Sequence, residues 1–227
     1  MKREMGGLCW VGLLLGFLVA LGGCGEPSQG RVIRLGHGLG TTHPVHEALE
    51  YMAERARIRS GGRLQVEVYP AEQLCSEREC LELLQIGSLD MTKVSASVME
   101  NFAPSFRVLG LPYLFRDAAH ERVVLEGEIG QQLLEEARPQ RLLGLAFYDA
   151  GSRSFYTRST PIRRPRDLEG LKIRTQESPT AMALVRALGG APTPLAWGEL
   201  YSALQQGVVD GAENNPASFY LSGHFEV

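Results

Sequence analysis

Residues 170–216 contain the most informative structural signals of the chain and read GLKIRTQESPTAMALVRALGGAPTPLAWGELYSALQQGVVDGAENNP. Apolar and cationic residues alternate from Leu171 to Arg174, and this alternation predicts a short strand that ends at Arg174. Ser178 and Pro179 form a helix start, because the hydroxyl accepts a free backbone N–H and the proline ring presets φ. A strand, a turn and a helix thus bring Arg174 close to a helix N-terminus, which is a natural site for an anion.

The helix after this start is predicted from its apolar period. Apolar residues recur at spacings of three and four, the pattern of one buried helix face. They are Ala181, Leu184, Val185 and Leu188. Gly189 and Gly190 follow and are expected to end the helix.

The chain before this stretch also alternates strands with helices. The predicted elements, beginning with a strand, are residues 32–35, 44–59, 64–68, 77–86 and 89–94. This order predicts a mainly parallel sheet covered by helices on both faces. Ligands of such sheets bind at the carboxyl ends of strands, so Ser95, just beyond the third strand, is expected to face a cleft.

The best candidate for a domain boundary is the turn at residues 149–151. A helix at residues 118–138 and a strand at residues 142–148 are predicted before it. We therefore predict an α/β fold with a first lobe over residues 31–150 and a second over residues 151–227.

Composition excludes some classes of function. The 227 residues are 44% apolar and carry a formal charge of −3, enough for a sizeable core without an extended basic face. Arg163, Arg164 and Arg166 crowd around a proline and are expected to form a solvated turn. No nucleic-acid partner is therefore expected.

Enzyme, cofactor and metal motifs are incomplete. The sequence contains neither GxSxG nor HExxH, and the glycine-rich loop after the first strand has Thr41 where a dinucleotide fingerprint needs its third glycine. His37, His43 and His46 are a weak metal-ligand set, because His43 stands before a proline at a helix start. We expect no enzyme activity, no cofactor and no metal.

The N-terminus is typical of an exported protein. A basic start, an apolar run over residues 8–21 and small residues before Cys24 predict a signal peptide over residues 1–23. The string LGGC resembles a bacterial lipobox, which implies lipid attachment at Cys24, and residues 24–30 follow as a polar tether. The alternatives are an ordinary cleaved signal or an uncleaved anchor. Each places the protein in the periplasm or at the exterior of the cell envelope.

Cys75 and Cys80 lie across a predicted helix start, where Ser76 and Glu79 have the spacing of a capping box. One interpretation is a short disulfide formed in an oxidising compartment. The other is two unpaired thiols, because a bridge requires Cα atoms within about 7 Å and the sequence leaves that distance open.

An ordered series of motifs carries a resemblance to a known family. The motifs are VYPAEQL, LLQIGSLDM, LPYLFRD, GSRSFYT, GLKIR, GAPTPLAWGELYSALQQG and VDGAEN. Together they resemble the DctP-type solute-binding subunits of TRAP transporters, which import organic acids with membrane permease subunits. The resemblance runs from Arg31 to Val227 and implies a two-lobed periplasmic-binding-protein-like fold with a hinge. It also implies a further helix after residue 227, so the second lobe is expected to be C-terminally truncated.

The first candidate ligand-binding residue is Arg174. A guanidinium offers two parallel donors to a carboxylate and stays charged, and the resemblance implies that this arginine clamps the ligand carboxylate. The alternative is an ion pair on the surface with Glu177 or Glu213.

The resemblance implies further ligand contacts from Asn214, Arg153, Trp197 and Glu77. Alternatives remain for three of them: Arg153 as a hinge residue bound to carbonyls, Trp197 as a core residue, and Glu77 as a charge capping its own helix. Ser95 joins the set by its position after a strand.

The ligand class is predicted from the same resemblance. The strings QESPTA, GAENNP and SFY are similar to members that take sugar acids such as uronates or aldonates. C4-dicarboxylates are the alternative ligands. A non-functional fragment and an enzyme on a similar two-lobed scaffold are the alternatives from other classes.

Overall fold

The computed structural model describes residues 30–227, and its first sheet has three parallel strands in the order β2-β1-β3. They are β1 (Arg31–His37), β2 (Leu64–Tyr69) and β3 (Met91–Lys93). The register pairs His37 with Lys93, so these two side chains mark the carboxyl edge of the sheet.

The second sheet has the order β4-β7-β5-β6, with β4 antiparallel to β7 and the other pairs parallel. Its strands are β4 (Ser154–Thr157), β5 (Lys172–Thr175), β6 (Ala191–Pro194) and β7 (Gly211–Asn214). Strand β5 confirms the strand predicted for residues 171–174 from their alternating pattern, although it begins and ends one residue later. Arg174 pairs with Ala212 of β7, and β7 ends at Asn214, so both predicted ligand residues lie near one edge.

Helices connect the strands as the βαβ pattern predicts. They are α1 (Pro44–Arg59), α2 (Glu77–Gln85), α3 (Ala96–Met99), α4 (Ala118–Glu126), α5 (Glu128–Glu136), α6 (Pro179–Ala187), α7 (Leu200–Gln205) and α8 (Pro216–Leu221). The Ser178 hydroxyl accepts from the Ala181 amide at 2.9 Å, which confirms the predicted start of α6. None of the helices within residues 30–227 is long and apolar enough to cross a membrane.

The single helix predicted for residues 118–138 is wrong. Gly127 interrupts it with ψ −167°, ending α4 and beginning α5. A Cβ on Gly127 would lie 2.8 Å from the Val123 carbonyl oxygen, so the tight junction depends on the missing side chain.

The strand predicted for residues 142–148 is also wrong. Within residues 30–227 this segment joins neither sheet. Its amides bond to the helix before it instead: Leu142 donates to Ala137 O at 3.1 Å and Gly144 to Leu134 O at 2.9 Å. An alternating pattern yields a strand only where a neighbouring backbone supplies the ladder.

The structure is a two-lobed α/β protein, and each hydrophobic cluster takes its members from one side of residue 150. Leu35 of β1 packs with Val45 and Leu49 of α1. Ile173 of β5 packs with Val185 of α6. The boundary itself stays a prediction.

Cys75 and Cys80 form a disulfide, with their Cα atoms 5.3 Å apart. The bond encloses the start of α2, where the Ser76 amide donates to Glu79 Oε2 at 2.9 Å in the predicted capping box. The structure therefore agrees with the interpretation of Cys75 and Cys80 as a short disulfide and not as two unpaired thiols.

Candidate functional site

Arg174 is a buried cation at the end of β5, with only 2% of its surface exposed. Its Nε and Nη2 donate to the Leu195 carbonyl at 3.0 and 2.8 Å, whereas Nη1 is buried without a hydrogen-bond partner in the described chain. Burial is the largest influence on the pKa of Arg174 and lowers it. The alternative of a surface ion pair with Glu177 or Glu213 is wrong, because this guanidinium is buried and bonded to a carbonyl. The Nη1 group of Arg174 therefore remains as a charged donor that can bind a further acceptor.

Trp197 covers this guanidinium. The Arg174 Cζ atom lies 5.8 Å from the centroid of the indole ring, within the range of a cation–π contact. The His224 ring centroid lies 5.2 Å from the indole, and Trp197 also packs on the cluster around Leu200. The indole ring therefore packs on the core with one part and borders the cleft with another, so its position is intermediate between a core residue and a ligand contact.

Glu77 faces Arg174 from the first lobe and binds Ser95. The Glu77 carboxylate accepts hydrogen bonds from the amide and hydroxyl of Ser95 at 2.9 and 3.0 Å. Lys93 Nζ lies 3.6 Å from the same oxygen. The side chain of Glu77 thus leaves the first turn of α2 and joins the carboxyl edge of the first sheet, where it lines a small cavity with Arg174.

Two cavities lie between the lobes, and Trp197 borders both. The first, about 10 Å³, is lined by Glu77 and Val98 on one side and by Arg174 and Gln176 on the other. It has about the room of one water molecule. The second, about 260 Å³, has walls from both lobes, which include Gly38, His43, Tyr201 and His224. It approaches the lower limit of about 300 Å³ for small-molecule sites.

Arg153 binds Glu213 and Asn214 instead of leaving its guanidinium open. It forms a two-pronged ion pair with the Glu213 carboxylate and donates to the Glu213 carbonyl at 2.9 Å. Its Nη1 donates to Asn214 Oδ1 at 3.1 Å. Burial opposes the charge, but Glu213 outweighs it and the pKa of Arg153 is raised.

Asn214 is consequently held with its side-chain oxygen, Oδ1, already bound to Arg153. Oδ1 also accepts from the Asn215 amide at 2.8 Å, so the group left to Asn214 for a ligand is its Nδ2 donor. Asn215 caps α8 by accepting from the Ser218 amide at 2.8 Å, as expected of a turn residue.

Two carboxylates were missed by sequence reasoning. Glu100, 1% exposed, follows α3 and accepts from the Ser178 hydroxyl and, at 2.6 Å, from the Thr180 hydroxyl. Glu72 lies inside the VYPAEQL motif and contacts the amide of Gly198. The first turn of α6 contains no acidic residue, and this was the only sign in the sequence that a distant carboxylate such as Glu100 binds there. For Glu72, the only sign was its place in the VYPAEQL motif.

The candidate metal-ligand histidines have other partners. His37 Nε2 lies 3.1 Å from His46 Nδ1. His43 accepts from the Val45 amide and lies 3.2 Å from the Ser218 hydroxyl. Across residues 30–227, no three His, Cys, Asp or Glu side chains are grouped so as to hold a metal ion. Cys24, the predicted lipidation site, lies outside the described residues.

Comparison with protein families gives a match over most of the chain. Residues 35–227 match the DctP family model, described as bacterial extracellular solute-binding protein, family 7. A relative from Rhodobacter capsulatus, named C4-dicarboxylate-binding periplasmic protein DctP, is 37% identical over 200 residues. The alignment covers 86% of this chain and 59% of that relative.

Solved structures that are similar to this one include two with a bound sugar acid. A TRAP periplasmic solute-binding protein from Bradyrhizobium sp. BTAi1 b, in complex with α/β-D-galacturonate, is 42% identical with a TM-score of 0.83. Another from Anaerococcus prevotii, with bound α/β-D-glucuronate, is 38% identical with a TM-score of 0.84. Each comparison covers 86% of this chain, and 65% and 64% of the two structures. The chain therefore spans less than two thirds of the proteins it matches.

Proposed function

Because the chain belongs to the bacterial extracellular solute-binding proteins of family 7, we propose that it captures a small organic acid outside the cytoplasm and holds the acid's carboxylate on Arg174. The observation that carries the proposal is the free Nη1 donor of a guanidinium that is 2% exposed and lies against Trp197. A buried donor of this kind has a strong need for an acceptor, and an anionic acceptor also compensates the buried charge.

Capture requires no covalent chemistry. Arg174 and the Nδ2 group of Asn214 supply donors to the carboxylate, while the indole of Trp197 covers an apolar face of the ligand. Arg153 keeps Asn214 in position. Closure of the lobes about a hinge expels water, and the charge-assisted hydrogen bonds strengthen as the local dielectric falls.

A sugar acid is the ligand class best supported. The similar structures from Bradyrhizobium and Anaerococcus contain galacturonate and glucuronate. In this chain a cavity of about 260 Å³ lies against Trp197, the residue that also covers the arginine, and it provides room for a polyhydroxylated chain. The bound acid would then be delivered to TRAP membrane permease subunits.

A C4-dicarboxylate is the second candidate. It is favoured by the 37% identical relative from Rhodobacter capsulatus, which is named for that ligand class. Calorimetric titration of the protein with galacturonate and succinate separates the two ligand classes. A chain that binds neither acid and shows no rise in melting temperature with either would contradict the proposal.

The N-terminal part of the proposal is membrane attachment. We infer a signal peptide over residues 1–23 and a lipid on Cys24, which would hold the binding lobes at the outer side of a membrane. Metabolic labelling with a fatty acid tests the anchor. Release of the unlabelled protein into the soluble periplasmic fraction would contradict it.

The clamp is tested by Arg174→Ala. Removing the guanidinium is expected to weaken binding of the preferred acid by about a hundredfold or more, since it leaves the ligand carboxylate without its charged partner. Arg186→Ala, on the exposed side of α6, is the matched control and should bind as the unaltered protein does. Unchanged affinity in the Arg174 variant would overturn the assignment.

A further inference from the structure

Glu72 is held in an unusual backbone conformation. Ala71 and Glu72 have φ of +52° and +56°, the left-handed region that non-glycine residues rarely occupy. The Ala71 amide donates to Leu39 O at 2.9 Å, and the Glu72 amide donates to His37 O at 3.1 Å. These bonds tie the turn to the end of β1. Such strain persists where the surroundings enforce it, and it often marks a ligand site.

One carboxylate oxygen of Glu72 accepts a hydrogen bond, and the other is without a partner within residues 30–227. Oε2 accepts from the Gly198 amide at 3.0 Å, a contact that joins the first lobe to the second. Oε1 is buried and has no hydrogen-bond partner within residues 30–227. Burial, with smaller contributions from Glu77 and Glu79, raises the pKa of Glu72 despite the Gly198 bond and Arg174.

Two glycines make room for this carboxylate. A Cβ on Gly38 would lie 3.3 Å from Glu72 Oε1 and 3.6 Å from the Trp197 ring, and a Cβ on Gly198 would collide with Oε2. Gly38 and Gly198 also line the cavity of about 260 Å³. The free oxygen therefore lies near Trp197, the ring that also covers Arg174.

We propose that Glu72 determines specificity: its free oxygen accepts a hydrogen bond from a hydroxyl group of an acid whose carboxylate is bound by Arg174. The inference rests on the proposed function and narrows its ligand class. An acceptor near the indole favours acids with several hydroxyl groups over plain dicarboxylates, which would place a second negative charge beside the carboxylate of Glu72.

The competing explanation is that Glu72 only holds the lobes together through Gly198. Glu72→Gln separates the two roles. The amide oxygen of glutamine still accepts from the Gly198 amide, whereas the free acceptor becomes an NH2 donor. Gly198→Ala displaces the carboxylate without changing any charge. Glu82→Gln, an exposed acid on α2, controls for the lost charge.

Affinities for D-galacturonate and succinate are measured by calorimetry for the protein and each variant. We expect Glu72→Gln and Gly198→Ala to lower the ratio of galacturonate to succinate affinity by about tenfold or more, and Glu82→Gln to leave it unchanged. An equal loss for both acids would assign Glu72 to lobe contact alone and overturn the inference. If the unaltered protein binds neither acid, the proposed function fails first and the inference fails with it.

Discussion

Arg153 and Glu213 show how much of this site is built from contacts between protein residues. The Glu213 carboxylate accepts hydrogen bonds from Nε and Nη2 of Arg153, and Nη1 of Arg153 donates to Asn214 and orients its amide. The resemblance predicted Arg153 as a ligand residue with a hinge role as the alternative. The geometry favours a third description, in which Arg153 positions the amide that meets the ligand.

At the residue scale, Glu213→Gln tests this description. The pair is only partly exposed, at 34% and 13% of the two side chains, so its loss should destabilise the protein by about 1–2 kcal/mol. Urea unfolding measures the change. Glu54→Gln breaks an exposed pair with Arg57 and should have little measurable effect. Equal effects of the two changes would show that the Arg153 pair contributes no more than a surface ion pair.

At the scale of elements, helix α6 obtains its N-terminal charge from another part of the chain. Its first turn has no acid, and Glu100 from the end of α3 bonds to Ser178 and Thr180 there. A carboxylate suits this position because it accepts hydrogen bonds from the helix start and compensates the helix dipole. Asn101 adds a bond of 2.7 Å to the Glu177 carbonyl. Two neighbouring residues of the first lobe thus hold the start of α6.

Glu100→Gln should therefore destabilise the protein. We expect a loss of about 1–3 kcal/mol in urea unfolding, because the change removes a buried charge-assisted acceptor and leaves a hydroxyl without its partner. Glu47→Gln is the control, an exposed acid in the first turn of α1 that should contribute at most about 0.5 kcal/mol. A Glu100 variant as stable as the Glu47 variant would contradict the assigned role.

Elements were predicted well where the signals are local. Helix α1 has the predicted bounds because its proline start and apolar period lie within the helix itself. The segment 142–148 has an equally plausible pattern but forms no strand among the described residues. A strand needs a partner backbone, which no local pattern supplies.

For the molecule as a whole, three buried histidines make the free energy of unfolding depend on pH. Burial lowers the pKa of His37 and of His224 to about 4, from an ordinary value of 6.5, and it also lowers the pKa of His43. His46, Lys93 and His43 act in the same direction on His37. Between pH 6.5 and 4 the unfolded chain binds the protons more readily, so the folded state loses stability as the pH falls. Above pH 6.5 these histidines add nothing to the pH dependence.

The slope is expected to reach about 1.4 kcal/mol per pH unit for each histidine. Urea unfolding at pH 7.5, 6 and 5 measures it. His37→Gln should remove the share of the slope that His37 contributes. A free energy of unfolding that stays constant from pH 7.5 to 5 would contradict the buried neutral state of these histidines.

Local sequence signals were sufficient to predict several strands and helices, the caps at Ser76 and Ser178, and the position of Arg174 near a strand end. These depend on residues within a few positions of one another, so the pattern contains the physical cause. The partners of Arg153, Glu72 and Glu100 depend on contacts between residues 60, 126 and about 80 positions apart. The contact of Arg153 with Glu213 forms inside the second lobe, where the pairing of β4 with β7 brings these residues together. The contacts of Glu72 and Glu100 form because the two lobes meet at the carboxyl edges of their sheets.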